Sequence, residues 1–324
     1  SDIKGFTVQT LSSDTAASVA DTGSWSSGGS TNQVRSQAAG SGASSSAALI
    51  FGGYTGTAAT GKTESYDGSS WTELNDLGTA RRYIAGCGTY TAALCTGGSP
   101  SPAINEQWDG TSWTEVGDLN TGRGDCGEVG TTAAALYFGG EPVSALTELW
   151  NGSSWTEVND LNTARFAVTG FGTSTAAVAA NGREPSVSSS AEDWDGTSWT
   201  ASGNLNTARG DASASQTAPS TDGIIFIGST GNHTNTVTNT EAYNGTSWTE
   251  VSDLSQKRYR GMGGGTGASA ICATGYTGTA RSSVTEEWAT TATPTTFKKI
   301  TEGQLFFNST TNTFKETITD IPGA

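Results

Sequence analysis

The chain has 324 residues, a formal charge of −15 at pH 7 and 34% hydrophobic residues, yet it carries 10 Trp, 8 Tyr and 10 Phe. That charge argues against nucleic acid or an anionic membrane as a partner, because phosphate binding takes clustered Lys and Arg. The aromatic content argues against disorder, and 44 Gly in a Ser/Thr/Ala-rich chain point to short strands and many turns.

The N-terminal residues Ser1 to Phe6 show no basic-then-apolar leader pattern, and no apolar run has membrane-spanning length. Neither a cleavable export signal nor a spanning segment is expected. Residues 1–19 read as an arm. A repeat then begins with the partial unit Asp21-Thr22-Gly23-Ser24-Trp25. Five full units follow: Tyr66-DGSS-Trp71, Trp108-DGTS-Trp113, Trp150-NGSS-Trp155, Trp194-DGTS-Trp199 and Tyr243-NGTS-Trp248. The closing tryptophans are 46, 42, 42, 44 and 49 residues apart, a period that signals repeated supersecondary units. Asp-Gly or Asn-Gly between aromatic-bearing runs predicts a hairpin, since these residues tolerate the positive φ of tight turns.

Each unit also holds a short apolar run ending at glycine: AALIFGG (47–53), TAALCTGG (91–98), AAALYFGG (133–140), TAAVAANG (175–182), GIIFIGS (223–229) and ASAICATG (268–275). These features predict four antiparallel strands per unit. Strand a starts at an arginine, b ends at the glycines, c ends at the aromatic and d starts at the tryptophan. The sixth c strand, ending at Trp288, is followed by no Asp-Gly turn. The expected fold class is therefore all-β. It is a six-bladed β-propeller of four-stranded antiparallel blades over residues 20–297, its ring closed by an N-terminal strand at about 24–29. A last strand at 295–300 is the alternative, and it leaves Trp25 unexplained.

Two charges recur in every unit. Arg35, Arg81, Arg123, Arg165, Arg209 and Arg258 each lie ten residues past a repeat tryptophan (Trp25, Trp71, Trp113, Trp155, Trp199, Trp248), and Glu64, Glu106, Glu148, Glu192, Glu241 and Glu286 lie two before the strand-c aromatic. A ring of anion ligands is one reading. Buried Arg–Glu pairs repeated by symmetry are the preferred one, because a site breaks symmetry whereas a scaffold repeats it. Cys87, Cys95, Cys126 and Cys272 lack C-x-x-C spacing and read as small core residues, although Cys87 and Cys95 could meet across a hairpin.

The glycine pairs Gly52-Gly53, Gly97-Gly98 and Gly139-Gly140, the strand-c aromatic and the strand-d Trp resemble the Kelch repeat over about residues 20–290. Kelch propellers include enzymes, adaptors and structural proteins, so the resemblance implies a fold and little chemistry. One Kelch class, the copper radical oxidases similar to galactose oxidase, takes two histidine ligands, and this chain has a single histidine, His233. The same count is too low for a two- or three-histidine zinc site. Phosphate-loop and nucleophile-elbow motifs are missing too. Among 31 acidic residues a glycosidase pair stays open, though Glu73, Glu115, Glu157 and Glu250 fall at repeat positions. No catalytic activity, cofactor or metal is expected.

Function is sought where the units differ. The c–d turns are near-copies and the d–a loops mostly read close to DLNTAR, whereas the b–c loops all differ. Variable loops on a rigid scaffold serve recognition. They nominate Tyr54, Lys62, Glu141, Arg183, Glu184, Asn232, His233, Asn235, Tyr276 and Arg281 as binding residues.

Residues 298–324 leave the repeat. Within them, Gly303 to Lys315 (GQLFFNSTTNTFK) predicts a hairpin and resembles an element of tailed-bacteriophage fibre and other virion proteins. The SWTEV and DLNTAR wording is similar to that of Kelch-like propellers of tailed, marine phages. The resemblance implies a non-enzymatic virion surface protein, such as a tail fibre, appendage or capsid decoration. Its terminal arms would dock other virion proteins, and its propeller face would meet a host glycan. A secreted or cell-surface carbohydrate-binding lectin or appendage subunit is the alternative, and a glycoside-active enzyme the third reading.

Overall fold

The structure, a computed structural model, describes residues 23–100, 102–231, 233 and 235–290, together with the backbone of 305–308 and 313–316. Side-chain capping closes each c–d turn. Asp67 Oδ1 accepts from the N–H groups of Ser69 and Ser70, both at 2.8 Å, and Asp109, Asn151, Asp195 and Asn244 act alike. Each hairpin sets the strand-c aromatic opposite the strand-d Trp, with ring centroids 4.8–5.4 Å apart.

Six antiparallel sheets result, each of four strands in the order d-c-b-a. In strand order a to d, blade 1 is Ala39–Ser44, Ala47–Phe51, Thr63–Tyr66 and Trp71–Glu73. Blade 2 is Ala85–Thr89, Ala92–Thr96, Asn105–Trp108 and Trp113–Glu115. Blade 3 is Gly127–Thr131, Ala134–Phe138, Thr147–Trp150 and Trp155–Val158. Blade 4 is Thr169–Thr173, Ala176–Ala180, Ala191–Trp194 and Trp199–Ala201. Blade 5 is Ser213–Ala214, Gly223–Phe226, Thr240–Tyr243 and Trp248–Glu250. Blade 6 takes Met262–Gly265, Ser269–Ala273 and Thr285–Thr290 from the end of the propeller, and Gly23–Ser27 from its start. That last strand pairs in the repeat's register, Trp25 opposite Trp288. The molecule is thus a six-bladed β-propeller whose N-terminal strand completes the last blade. Strand a begins four residues after the repeat arginine rather than at it, for example at Ala39 after Arg35.

The core lies between blades. Six apolar clusters each join residues of two neighbouring blades, such as Leu49 and Phe51 of blade 1 with Ala93, Cys95 and Trp108 of blade 2. The strand-d Trp also bonds the preceding blade. Trp25, Trp71, Trp113 and Trp199 donate Nε1–H to Thr240, Thr285, Thr63 and Thr147 at 2.9–3.1 Å. All four cysteines are free and buried.

The repeat arginines and glutamates pair inside each blade, with N–O distances of 2.5–3.2 Å and side chains at most 4% exposed. The glutamate does more than neutralise. Glu148 also accepts from the Asn120 N–H and Nδ2 at 2.8 and 2.9 Å, and so holds the incoming d–a loop. In a second unit, Leu305–Asn308 pairs antiparallel with Thr313–Glu316. The 1–19 arm and the hairpin tip lie outside the described residues.

Arg123→Ala leaves Glu148 buried without its cation, a change that costs about 3–5 kcal/mol. A thermal melt followed by circular dichroism should fall accordingly; an unchanged melting temperature would remove the pair from the scaffold.

Candidate functional site

Two residues past each repeat arginine the chain turns left-handed. Gln37, Tyr83, Asp125, Ala167, Asp211 and Arg260 have φ between 53° and 61°. Non-glycine residues hold that conformation only where the surroundings impose it. Here a closed circle of backbone hydrogen bonds does so. Each of these residues donates its N–H to the carbonyl of its counterpart in the preceding blade, from Tyr83 to Gln37 round to Gln37 to Arg260, at 2.8–3.2 Å. The next blade's arginine carbonyl accepts from the last glycine of strand b, as in Gly53 to Arg81 at 2.8 Å and Gly275 to Arg35 at 3.0 Å. A Cβ at Gly140, one of these glycines, would stand 2.3 Å from Cys126 Sγ.

The six side chains of the circle are of five kinds, with Asp used twice, and they line an axial cavity of about 90 Å³. On the far side of that cavity, the a–b connection of blade 5 crosses between blades. Thr217 Oγ1 donates to Gly42 and Gly265 carbonyls at 3.1 and 3.0 Å, and the Gly172 N–H donates to Gln216 O. Glu128 also lines the cavity, at a strand-a position that is Gly or Ala in the other five blades. It is 3% exposed, accepts from Thr96 Oγ1 at 2.8 Å, and its Oε2 has no partner. Burial pushes this carboxyl up to about 8, against the smaller opposing effect of its Thr96 and Cys87 hydrogen bonds.

At the open end the circle and the b–c loops share one face, since the residue after each repeat arginine bridges the residue after strand b's last glycine, as Tyr259 does Tyr276. Asp211 is the centre of a charged cluster. Arg260 Nε lies 2.6 Å from it, Arg183 Nη2 2.9 Å and His233 Nε2 3.2 Å. Burial raises the Asp211 carboxyl, but His233, Arg260 and Arg183 outweigh burial and hold it well below the usual range. Arg260 Nη2 also meets Asp125 at 3.2 Å. Asp125 is pushed up to about 6, first by burial and then by Asp211 and Glu141, with Arg260 opposing. Around this cluster arginines and tyrosines alternate. Arg82 and Arg281 both lie against the Tyr54 ring at 4.5 and 4.6 Å, Arg260 lies over Tyr83 at 4.7 Å, and Arg281 lies 5.4 Å from Tyr276.

Of the residues nominated from sequence, Arg183 and His233 converge on Asp211, and Tyr54, Tyr276 and Arg281 form the rim. Glu141 is exposed beside a groove of about 530 Å³ that Phe166, Tyr83 and Arg260 also line. Glu184 is half-buried with Oε1 unpartnered, and Asn235 is exposed, its carbonyl accepting from the Thr230 N–H. Lys62 does not join the rim; it pairs with Glu73 and Asp76 beside strand d. Asn232 lies outside the described residues. Sequence reasoning missed the circle itself. Its signal was present, because the residue two past each repeat arginine is Gln, Tyr, Asp, Ala, Asp and Arg, just after a loop that mostly reads close to DLNTAR. Among the described residues, no group of three or more His, Cys, Asp or Glu gathers as metal ligands. No protein-family model matches the chain, and no curated protein matches it.

Glu128 gives a pH test. Its folded value near 8 stands above the ordinary 4.5, so its contribution to stability is complete below 4.5 and is lost as pH rises through 8. The melting temperature of the native chain should therefore fall between about pH 4.5 and 8 and level off above, and Glu128→Gln should flatten that fall. Parallel curves for the two proteins would refute the assignment.

Proposed function

We propose that this protein is a non-enzymatic virion surface structural protein, as a tail fibre, appendage or capsid decoration, and that its b–c/d–a face binds a host-surface glycan. One observation carries the recognition half: the side chains that escape the repeat gather on a single face. The left-handed circle, the Asp211 cluster and the Tyr54–Arg281–Tyr276 rim all lie there. Flat aromatic faces next to fixed hydrogen-bonding groups suit sugars, whose rings offer C–H faces and ordered hydroxyls. The opposite face carries five near-identical capped turns, and its one departure is the longer a–b connection of blade 5. The virion half rests on resemblance: the repeats to Kelch-like phage propellers, and Gly303 to Lys315 to virion elements. The terminal segments would supply docking to other virion proteins.

Two measurements test the two halves. On a glycan array the purified protein should bind saturably; Tyr54→Ala should weaken binding at least about tenfold, as expected for loss of one stacked aromatic platform together with its two arginine contacts. Asp109→Asn, on the opposite face, should leave it unchanged. Proteomics of purified particles should find the chain. An array with no binding removes the recognition half, and particles without the chain remove the virion half.

A further inference from the structure

The chain has ten arginines, and six sit in the buried pairs of the scaffold. The other four, Arg82, Arg183, Arg260 and Arg281, all stand on the recognition face, in a protein of net charge −15. Arg183 and Arg260 have carboxylate partners. Arg82 and Arg281 have none within 4 Å among the described residues, although both guanidinium groups press on the same Tyr54 ring. Two like charges gathered on one aromatic, with no anion between them, are unfavourable in the free protein and favourable once an anion arrives.

A pocket of about 280 Å³ opens beside them, lined by Ser36, Gln37, Tyr259, Arg260, Tyr276 and Arg281. Its Gln37 amide donates to the Tyr83 hydroxyl at 3.2 Å, while the buried Gln37 Oε1 has no partner. Arg281 is held by its Nε–H on the Tyr54 carbonyl at 3.0 Å, and among the described residues its outer guanidinium nitrogens meet no acceptor. The pocket thus supplies cationic donors, aromatic faces and one unanswered acceptor. Its volume is just under the ~300–1,000 Å³ of drug-sized sites and suits a single sugar ring.

We infer that this pocket binds the carboxylate-bearing residue of an acidic polysaccharide, a hexuronic acid. The carboxylate meets the outer nitrogens of Arg281 beside Arg260, a ring hydroxyl donates to Gln37 Oε1 once that amide turns into the pocket, and the sugar's C–H face lies on tyrosine. Inorganic phosphate would satisfy the arginines but leave the rings and the Gln37 acceptor unmet. This inference rests on the glycan-binding reading and narrows it to an anionic sugar at a named site.

The test is calorimetric titration of the full chain with a trigalacturonate, its methyl ester, and a poly-Glu peptide. The acid should bind about 10- to 100-fold tighter than the ester, the range set by one or two charge-assisted hydrogen bonds, and affinity should fall with added salt. Arg281→Gln should abolish that preference. Gln37→Glu, which sets a like charge on the pocket floor, should weaken the acid more than the ester, and melting curves should report both variants folded. Equal binding of acid and ester overturns the acidic-sugar inference while leaving glycan recognition standing. Tight binding of the peptide with none of either sugar overturns it in favour of an acidic protein partner. If both sugars stay silent while the array shows binding to other glycans, this inference alone fails; if the array is silent too, the glycan reading fails with it.

Discussion

The propeller depends on a hydrogen-bonded circle that no side chain makes. Six N–H groups, one per blade, point to six carbonyls one blade back, and the circle closes between Gln37 and Arg260 as it does elsewhere. A second circle runs the other way, from the last glycine of strand b to the next blade's arginine carbonyl. Every neighbouring pair of blades is therefore tied by two backbone bonds of opposite direction. The left-handed conformation of the first circle follows from that geometry. Because the backbone makes the bond, the side chain at each position is released from structural duty. That release explains how Gln, Tyr, Asp, Ala, Asp and Arg occupy equivalent places without disturbing the ring.

Farther out, side chains take over the joining, and there the identity of each residue matters. A strand-d Trp bonds the Thr that opens strand c of the preceding blade. Where that Thr is replaced, the bond changes. Asn105 stands at the position facing Trp155, whose Nε1 is left without a partner, and Ala191 stands at the one facing Trp248, which turns to the Gly203 carbonyl at 2.8 Å. The first costs a buried donor its hydrogen bond, of order 1–3 kcal/mol. The apolar clusters between blades absorb such losses because each is one of six. A closed repeat array spreads its stability over many similar interfaces.

Much of this could be read from the sequence, for a physical reason. Asp-Gly turns, strand-c aromatics and strand-d tryptophans act locally, and repetition multiplied their signal until blade number and the closing strand around Trp25 followed. The glycine pairs were harder. Blades 4 to 6 keep a left-handed residue where blades 1 to 3 have the first glycine, but fill it with Asn181, Ile227 and Thr274 at φ 56°, 53° and 61°. The sequence suggests a weakened repeat there, whereas the inter-blade bonds preserve its shape and the β-branched residues bear the strain. The site was less legible still. Arg183, His233, Tyr54, Tyr276 and Arg281 stood out in variable loops. Asp211 and Arg260 hid inside the d–a loop, which mostly repeats, and only their three-dimensional convergence reveals them. Lys62 misled because variability marks a loop without saying which way its side chain turns.

The same division governs charge. Six arginines and six glutamates cancel inside the blades, so the net −15 is carried by everything else, and it repels acidic polymers at a distance. At physiological ionic strength that repulsion fades over about 8 Å. The cluster on the b–c/d–a face lies within that range, its guanidinium groups held by tyrosine rings and by Asp211 rather than left to sample solvent. Long-range field and local site thus have opposite signs. On the acidic-sugar proposal, an anion would gain little from steering toward this protein and would gain its affinity only on contact, where pocket shape and hydrogen bonding decide. Under that proposal the arrangement would trade association speed for discrimination, because a diffuse polyanion that cannot fit the pocket would meet only the repulsive field.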